Sequence, residues 1–341
     1  MRAVAYTRHG DPSVLELRER PIVQPGKGEL RIRMLVSGVN PTDWKSRSGD
    51  YGDPPGETTV PNHDGAGIVD AIGAAVTNHR VGDRVWVTLA ADGRPASGTA
   101  QEYTVVPAKR VFSLPAGADF ELGASVGIPA CTAHRALTVT EDGPTRLQPN
   151  ALDATTVLVA GGAGAVGHAA IQLARWAGAT VIATVSSPDK ARLATKAGAH
   201  EVVNYKDNDA VEQIRRIAPD GVDLIVEVAA GVNAELDQAV LRPRGTISIY
   251  ATNGGGQFCP DIPRCMGLNA RYQFVLLYTV GWDRIAEAAA DINSAIENGA
   301  MGVGEQFGLP IHWFALEDTA AAHRAVEDAA IGKVLIRVGS E

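Results

Sequence analysis

The sequence predicts an α/β protein of two textures: an irregular, barrel-like β domain, then a doubly wound parallel sheet. Up to about residue 127, short β-rich runs are separated by clusters of Gly, Pro, Asn and Asp. From about residue 155, apolar strand runs alternate strictly with helical segments closed by glycine. The chain has 341 residues, 45% of them hydrophobic, which exceeds one ordinary core and fits two domains.

In the first region the strand runs are "AVAYT", "LRIRMLVSGV", "AGIVDAIG", "DRVWVTLA" and "AQEYTVV", with turns at "PGKG", "DPPGE" and "VGDR". In the second, "TTVLVAG", "TVIATVSS", "EVVNY", "VDLIVEV" and "GTISIYA" are strands, and "RYQFVLL" is a sixth. Helices fill the intervals, the first two ending at Gly178 and Gly198. Strands joined through helices imply parallel pairing and right-handed crossovers. After the helix "WDRIAEAAADINSAIENG", the tail reads strand, helix, strand. That breaks the rhythm, so residues 280–341 are expected to rejoin 1–127, leaving 128–279 as the second domain.

Composition excludes several classes. A net charge of −8 without a Lys/Arg block, and 5% aromatic residues, leave no footprint for nucleic acid or an anionic membrane. No apolar run is long enough for a membrane span. The start "MRAVAYTRHGDPSVL" reads as a strand rather than a signal peptide. Three scattered cysteines, Cys131, Cys259 and Cys265, fit a reducing, cytoplasmic setting.

The chemistry begins at Gly162-Ala163-Gly164-Ala165-Val166-Gly167, a G-x-G-x-x-G between a strand and a helix. There Gly162 permits the tight turn, Gly164 lets a pyrophosphate approach the backbone, and Gly167 allows helix and strand to pack closely. The helix start attracts phosphate through its unpaired N–H groups and its dipole. The bland alternative is a tight turn without ligand. An NAD site would carry an acid about 20 residues on, against the ribose 2′-hydroxyl. Here the strand tip reads "ATVSSPDK", and Asp189 lies past Pro188, already in the next helix. Ser186, Lys190 and, after the third strand, Tyr205 would instead accept a 2′-phosphate, so NADP(H) is expected. Ser187 before Pro188 also reads as a helix cap.

"GVNPTDWKSRSGDY", "PNHDGAGIVDAIG", "GIPACTAHRAL", the glycine turn, "AGAHEVVNY" and "GKVLIRV" together resemble the zinc-free quinone oxidoreductases. This is the zeta-crystallin-like branch of the medium-chain dehydrogenase/reductase superfamily. The resemblance runs over nearly the whole chain. It implies a GroES-like β-barrel domain, a Rossmann domain with a six-stranded sheet, an active-site cleft between them, and a homodimer or homotetramer. It implies NADPH as hydride donor to a quinone or similar conjugated carbonyl. Ser186, Lys190 and Tyr205 match the positions around the 2′-phosphate, and Asn40 and Thr132 match positions near nicotinamide and substrate. Ala251 and Lys333 join the expected cofactor set, and Arg47 and Tyr51, in a Gly/Pro-rich loop, are expected beside the acceptor. Asp43 reads as a loop-holding carboxylate. Lys45, His134 and the long linker "TEDGPTRLQPNALDA" depart from the family pattern.

A zinc alcohol dehydrogenase would need metal ligands near Asn40, His63 and Ile128. One imidazole among the three does not hold the metal, so none is expected. The rival readings are an NADPH-dependent enone or enoyl double-bond reductase, and an NADPH-binding protein without notable catalysis.

Overall fold

The structure, a computed structural model, describes residues 1–51, 58–93, 96–207 and 209–340; the "DPPGE" turn lies outside them. The chain divides into two compact units, Met1–Ile128 with Pro310–Glu341, and Pro129–Leu309.

From the N-terminus, β1 (Arg2–Ala5) pairs antiparallel with β2 (Glu16–Glu19). The long β3 (Glu29–Val39) turns Leu30, Ile32 and Met34 into the core at every second position. Helix α1 (Pro41–Ser48) follows, where the sequence reading had a loop. Its start is encoded locally: Asn40 caps it, Pro41 opens it, and Asp43 completes a capping box. Gly49, at φ 102°, ends it. Next come β4 (Asp64–Ile72), β5 (Arg84–Val87), β6 (Tyr103–Pro107) and β7 (Val111–Ser113). Helix α2 (Phe120–Leu137) carries Pro129 inside it. That proline hides the helical pattern from a sequence reading.

The second unit alternates as expected: β8 (Thr156–Ala160), α3 (Ala165–Trp176), β9 (Thr180–Val185), α4 (Pro188–Lys196), β10 (Glu201–Asn204), α5 (Ala210–Ile217), β11 (Val222–Glu227), α6 (Ala230–Val240), β12 (Leu241–Ile249), α7 (Ile262–Leu268), β13 (Arg271–Phe274) and α8 (Trp282–Glu297). All six strands run parallel, in the order β10-β9-β8-β11-β12-β13. Val157–Val159, Val181–Ala183 and Leu224–Val226 are buried throughout, as a sheet covered on both faces requires. The chain reverses direction across the sheet between β8 and β11, which creates a crevice at their C-terminal ends.

The return to the first unit falls at Pro310, not at 280. Helix α8 stays with the second unit because it buries Ile285, Ala288, Ala289 and Ile292, and because its Asp291 bonds His134 and the Leu147 N–H. After Pro310 come β14 (Ile311–Ala315), α9 (Thr319–Glu327) and β15 (Lys333–Arg337). Strand β15 pairs antiparallel with β3 and parallel with β14, giving a seven-stranded sheet ordered β14-β15-β3-β4-β5-β7 with β6 also on β3.

Candidate functional site: a nucleotide cradle and a buried amide network

The glycine turn lies at the crevice of the second unit, between β8 and α3. Its glycines divide the work somewhat differently from expectation. The left-handed residue is Gly161, at φ 70°, so it makes the tight turn, not Gly162. A Cβ on Gly162 would lie 2.8 Å from the Ala183 methyl, so this glycine seats the turn against β9. A Cβ on Gly167 would lie 2.4 Å from the Gly161 carbonyl oxygen, which is the close approach expected of it. Gly164 caps α3 without a side chain, and a Cβ there would have no neighbour nearer than 3.5 Å. The Gly164 N–H donates to the Gly161 carbonyl at 3.0 Å, so the first-turn N–H groups of α3 begin at Ala165.

One strand over, β9 ends at Val185, and Ser187 caps α4 by accepting the Lys190 N–H. The Lys190 ammonium folds back to donate to Ser186 Oγ at 3.1 Å. The Tyr205 N–H donates to the Val185 carbonyl, which brings the exposed Tyr205 to the same strand tip. Asp189 is directed to Arg192 on the helix surface. A hydroxyl and an ammonium thus meet at this strand tip, where Tyr205 is bonded through its backbone, with no carboxylate between Thr184 and Ser187. Ala251 follows β12 at the same edge of the sheet; the neighbouring Tyr250 and Asn253 N–H groups bond the carbonyls of Glu227 and Val228. Sequence reasoning passed over Glu227, a fully buried carboxyl at the end of β11 that burial pushes up and that accepts from Ala229 N–H and Asn233.

In the first unit, Asn40 is 2% exposed and is bonded through its backbone N–H, its amide oxygen and one amide N–H. Its N–H donates to Asp43 Oδ2 at 2.7 Å, its amide nitrogen to Asp64 Oδ2 at 2.7 Å, and its amide oxygen accepts from Lys333 Nζ at 2.6 Å. Asp43 also accepts the His63 N–H at 3.0 Å, so it does hold the loop through backbone bonds. Burial pushes Asp43 up to about 8, with Asp64 adding to the push and Lys333 opposing it. Burial likewise raises Asp64 and lowers Lys333. His63 is buried at the start of β4, and burial, with Arg110 nearby, brings its imidazole down to about 3.

Other expected site residues are placed elsewhere. Arg47 is 0% exposed and spends its guanidinium on the Gly10 carbonyl and on Glu327 of α9, 2.8 Å each, so it fastens helices rather than meeting an acceptor. Lys333 is buried and bonds the Val39 carbonyl and Asn40; it offers no charge to a phosphate. Tyr51 is 52% exposed, with the Lys45 ammonium 5.8 Å from its ring. Thr132 is buried in α2, in the second unit. Two of the family departures share one anchor: His134 and the linker residues Arg146 and Leu147 all bond Asp291 of α8.

Comparison with known proteins bears on these two sites. A family model described as an alcohol dehydrogenase GroES-like domain matches residues 26–116, and one described as a zinc-binding dehydrogenase matches residues 165–294. The quinone oxidoreductase of Lama guanicoe is 31% identical over 342 residues, covering 98% of this chain and 97% of that protein. The chain belongs to the quinone oxidoreductase branch of the medium-chain dehydrogenase/reductase superfamily. The Homo sapiens quinone oxidoreductase is 30% identical, again over 98% of this chain and 97% of that protein. The structure of Escherichia coli quinone oxidoreductase complexed with NADPH is 26% identical, with a TM-score of 0.81 over 99% of this chain and 100% of that one. As a member of this family, the chain is an oxidoreductase that uses a nicotinamide cofactor and a small-molecule substrate. The first unit is its GroES-like domain and the second its Rossmann domain.

Zinc is named in one family description, and two of the three positions where a catalytic zinc would need ligands carry an amide and an apolar side chain. The Asn40 amide is committed to Lys333 and Asp64, and Ile128 contributes an apolar side chain. Among the described residues no group of three or more His, Cys, Asp or Glu could hold a metal ion. Also among the described residues, no helix is long and apolar enough to cross a membrane.

Proposed function

We propose that this oxidoreductase passes a hydride from NADPH to a quinone or a similar conjugated carbonyl, without zinc. The observation that carries the reading is the Lys190–Ser186 contact at the tip of β9, beside Tyr205 and without a carboxylate. The names of the relatives, and the NADPH bound in the Escherichia coli structure, support it. NADPH supplies the hydride. The protein's own contribution is binding and electrostatics. The N–H groups of the glycine turn hold the pyrophosphate, and Ser186, Lys190 and Tyr205 take the 2′-phosphate. An electrophilic acceptor needs less activation than an alcohol does, and one well-placed donor at its oxygen suffices. Asn40 is that donor in this reading, with the final proton coming from water.

We further infer a homodimer joined at the β13 edge of the six-stranded sheet. There Phe274, 62% exposed, and Leu276 are apolar and exposed, as are Ile262 and Met266 of α7. The three thiols fit a reducing, cytoplasmic compartment.

Parallel titration with NADPH and NADH tests the cofactor assignment, with Lys190→Ala beside the parent. A charge-assisted bond to phosphate is worth about 1.5–3 kcal/mol, so the variant should bind NADPH roughly 10- to 150-fold more weakly and NADH unchanged. Equal affinity of the parent for both cofactors would remove the assignment.

A further inference from the structure

The Asn40 network fixes more than a loop. An amide has one acceptor oxygen and two N–H groups. At Asn40 the oxygen faces an ammonium, Lys333 Nζ at 2.6 Å, and one N–H faces a carboxylate, Asp64 Oδ2 at 2.7 Å. Rotating the amide by half a turn would set N–H against ammonium and C=O against carboxylate, losing two charge-assisted bonds at once. The orientation is therefore locked at both ends, and among the described residues nothing takes the second N–H.

The lock is itself braced. Asp64 accepts the Ile128 N–H on both oxygens at 2.9 Å and the Thr88 hydroxyl at 3.2 Å. Ile128 stands just before Pro129, which interrupts the hydrogen-bond ladder of α2. Gly127 leaves the space this carboxylate needs, since a Cβ there would sit 2.2 Å from Asp64 Oδ1. Lys333 is held from the other side by the Val39 carbonyl at 3.2 Å. Each member of the chain Lys333–Asn40–Asp64–Ile128 is thus oriented by the next, all within the first unit.

We propose that Lys333 and Asp64 are positioning residues that keep Asn40 a one-way N–H donor, reserved for the acceptor oxygen that gains charge as hydride arrives. The proposal rests on the reading that Asn40 meets the acceptor. It assigns to a buried amide, backed by a fixed ammonium, the electrophilic task that a metal performs in other dehydrogenases. It also defines the substrate class by chemistry: a carbonyl or quinone oxygen able to accept, rather than a group that must itself donate at that point.

A double-mutant cycle on the full chain tests this, using NADPH and a simple quinone and comparing Asn40→Ala, Lys333→Met and the pair. Removing one oxyanion donor costs about 100-fold in kcat, so Asn40→Ala should lower kcat on that scale while the NADPH Kd stays within about twofold. Lys333→Met should lower kcat in the parent and change nothing further in the Asn40→Ala background, because it acts only through the amide. Lys333→Arg should restore part of the loss. If Lys333→Met does not yield folded protein by circular dichroism, Asp64→Asn, which keeps the side-chain shape, runs the same cycle. Independent, multiplying losses overturn the lock. An unchanged kcat in Asn40→Ala instead overturns the reading that Asn40 meets the acceptor, so the two failures are distinguishable.

Discussion

Gly164 and Gly167 stand three residues apart in one turn, and a methyl group added to each meets different surroundings. At Gly164 the nearest atom is 3.5 Å away, so alanine fits the protein and intrudes on whatever approaches from outside. At Gly167 the methyl would lie 2.4 Å from a backbone oxygen and 3.0 Å from two backbone carbons, none of which can move alone. Gly164→Ala should therefore cost less than about 1 kcal/mol of folding stability, the scale of a changed helix cap, yet weaken NADPH binding clearly. Gly167→Ala should cost about 1–3 kcal/mol in a urea titration, the scale of an overpacked site. Equal stability losses in the two variants would contradict this division. The motif was legible in the sequence because its strand–turn–helix setting was. The share taken by Gly161 was not, because a positive φ is a property of the folded backbone and two adjacent glycines offer the same side chain. Arg47 and Lys333 were misplaced for a related reason. A basic residue in a motif reads as a ligand for something, and the sequence does not show that Glu327, some 280 positions away, already occupies Arg47.

Among the elements, the instructive pair is α2 and α8. His134 and the linker through Arg146 and Leu147 depart from the family pattern. The structure attaches them to each other through Asp291. Burial raises that carboxyl, but the bonds from His134, Arg146 and the Leu147 N–H outweigh it and bring it down to about 2. A carboxyl depressed in the folded state stabilises fully above its ordinary value near 4. It gives that stability up as pH falls from about 4 towards about 2. Asp291→Asn should therefore lower the urea midpoint at neutral pH and flatten the loss of stability between pH 4 and 2. A variant whose acid unfolding curve runs parallel to the parent's would show that this anchor contributes nothing. Helix α1 was written plainly in "NPTD", as cap, proline and box residue, and was missed because its short polar turn shows no apolar stripe. Helix α2 was missed because Pro129 lies inside it and breaks the helical pattern.

For the whole molecule, the alternation of strands and helices from residue 155 onward specified the parallel sheet and its six strands, since each segment carries its own period and the first two helices their own glycine stops at Gly178 and Gly198. The crossover back at Pro310 rather than 280 was beyond local pattern, because an amphipathic helix such as α8 looks the same whichever core it covers. Phe274→Glu with Leu276→Glu should convert a dimer to a monomer in light scattering while leaving far-ultraviolet circular dichroism unchanged, and a parent already monomeric at micromolar concentration would exclude the β13 interface. The central claim is reduction of a conjugated carbonyl by NADPH, without metal, on this chain. Its most direct test is the steady-state oxidation of NADPH by the purified protein, with quinones, enones and enoyl thioesters in turn, each in the presence of a metal chelator. The account predicts turnover with quinones that is undiminished by the chelator and faster with NADPH than with NADH. Failure to oxidise NADPH with any quinone, or activity that vanishes on chelation, would contradict it.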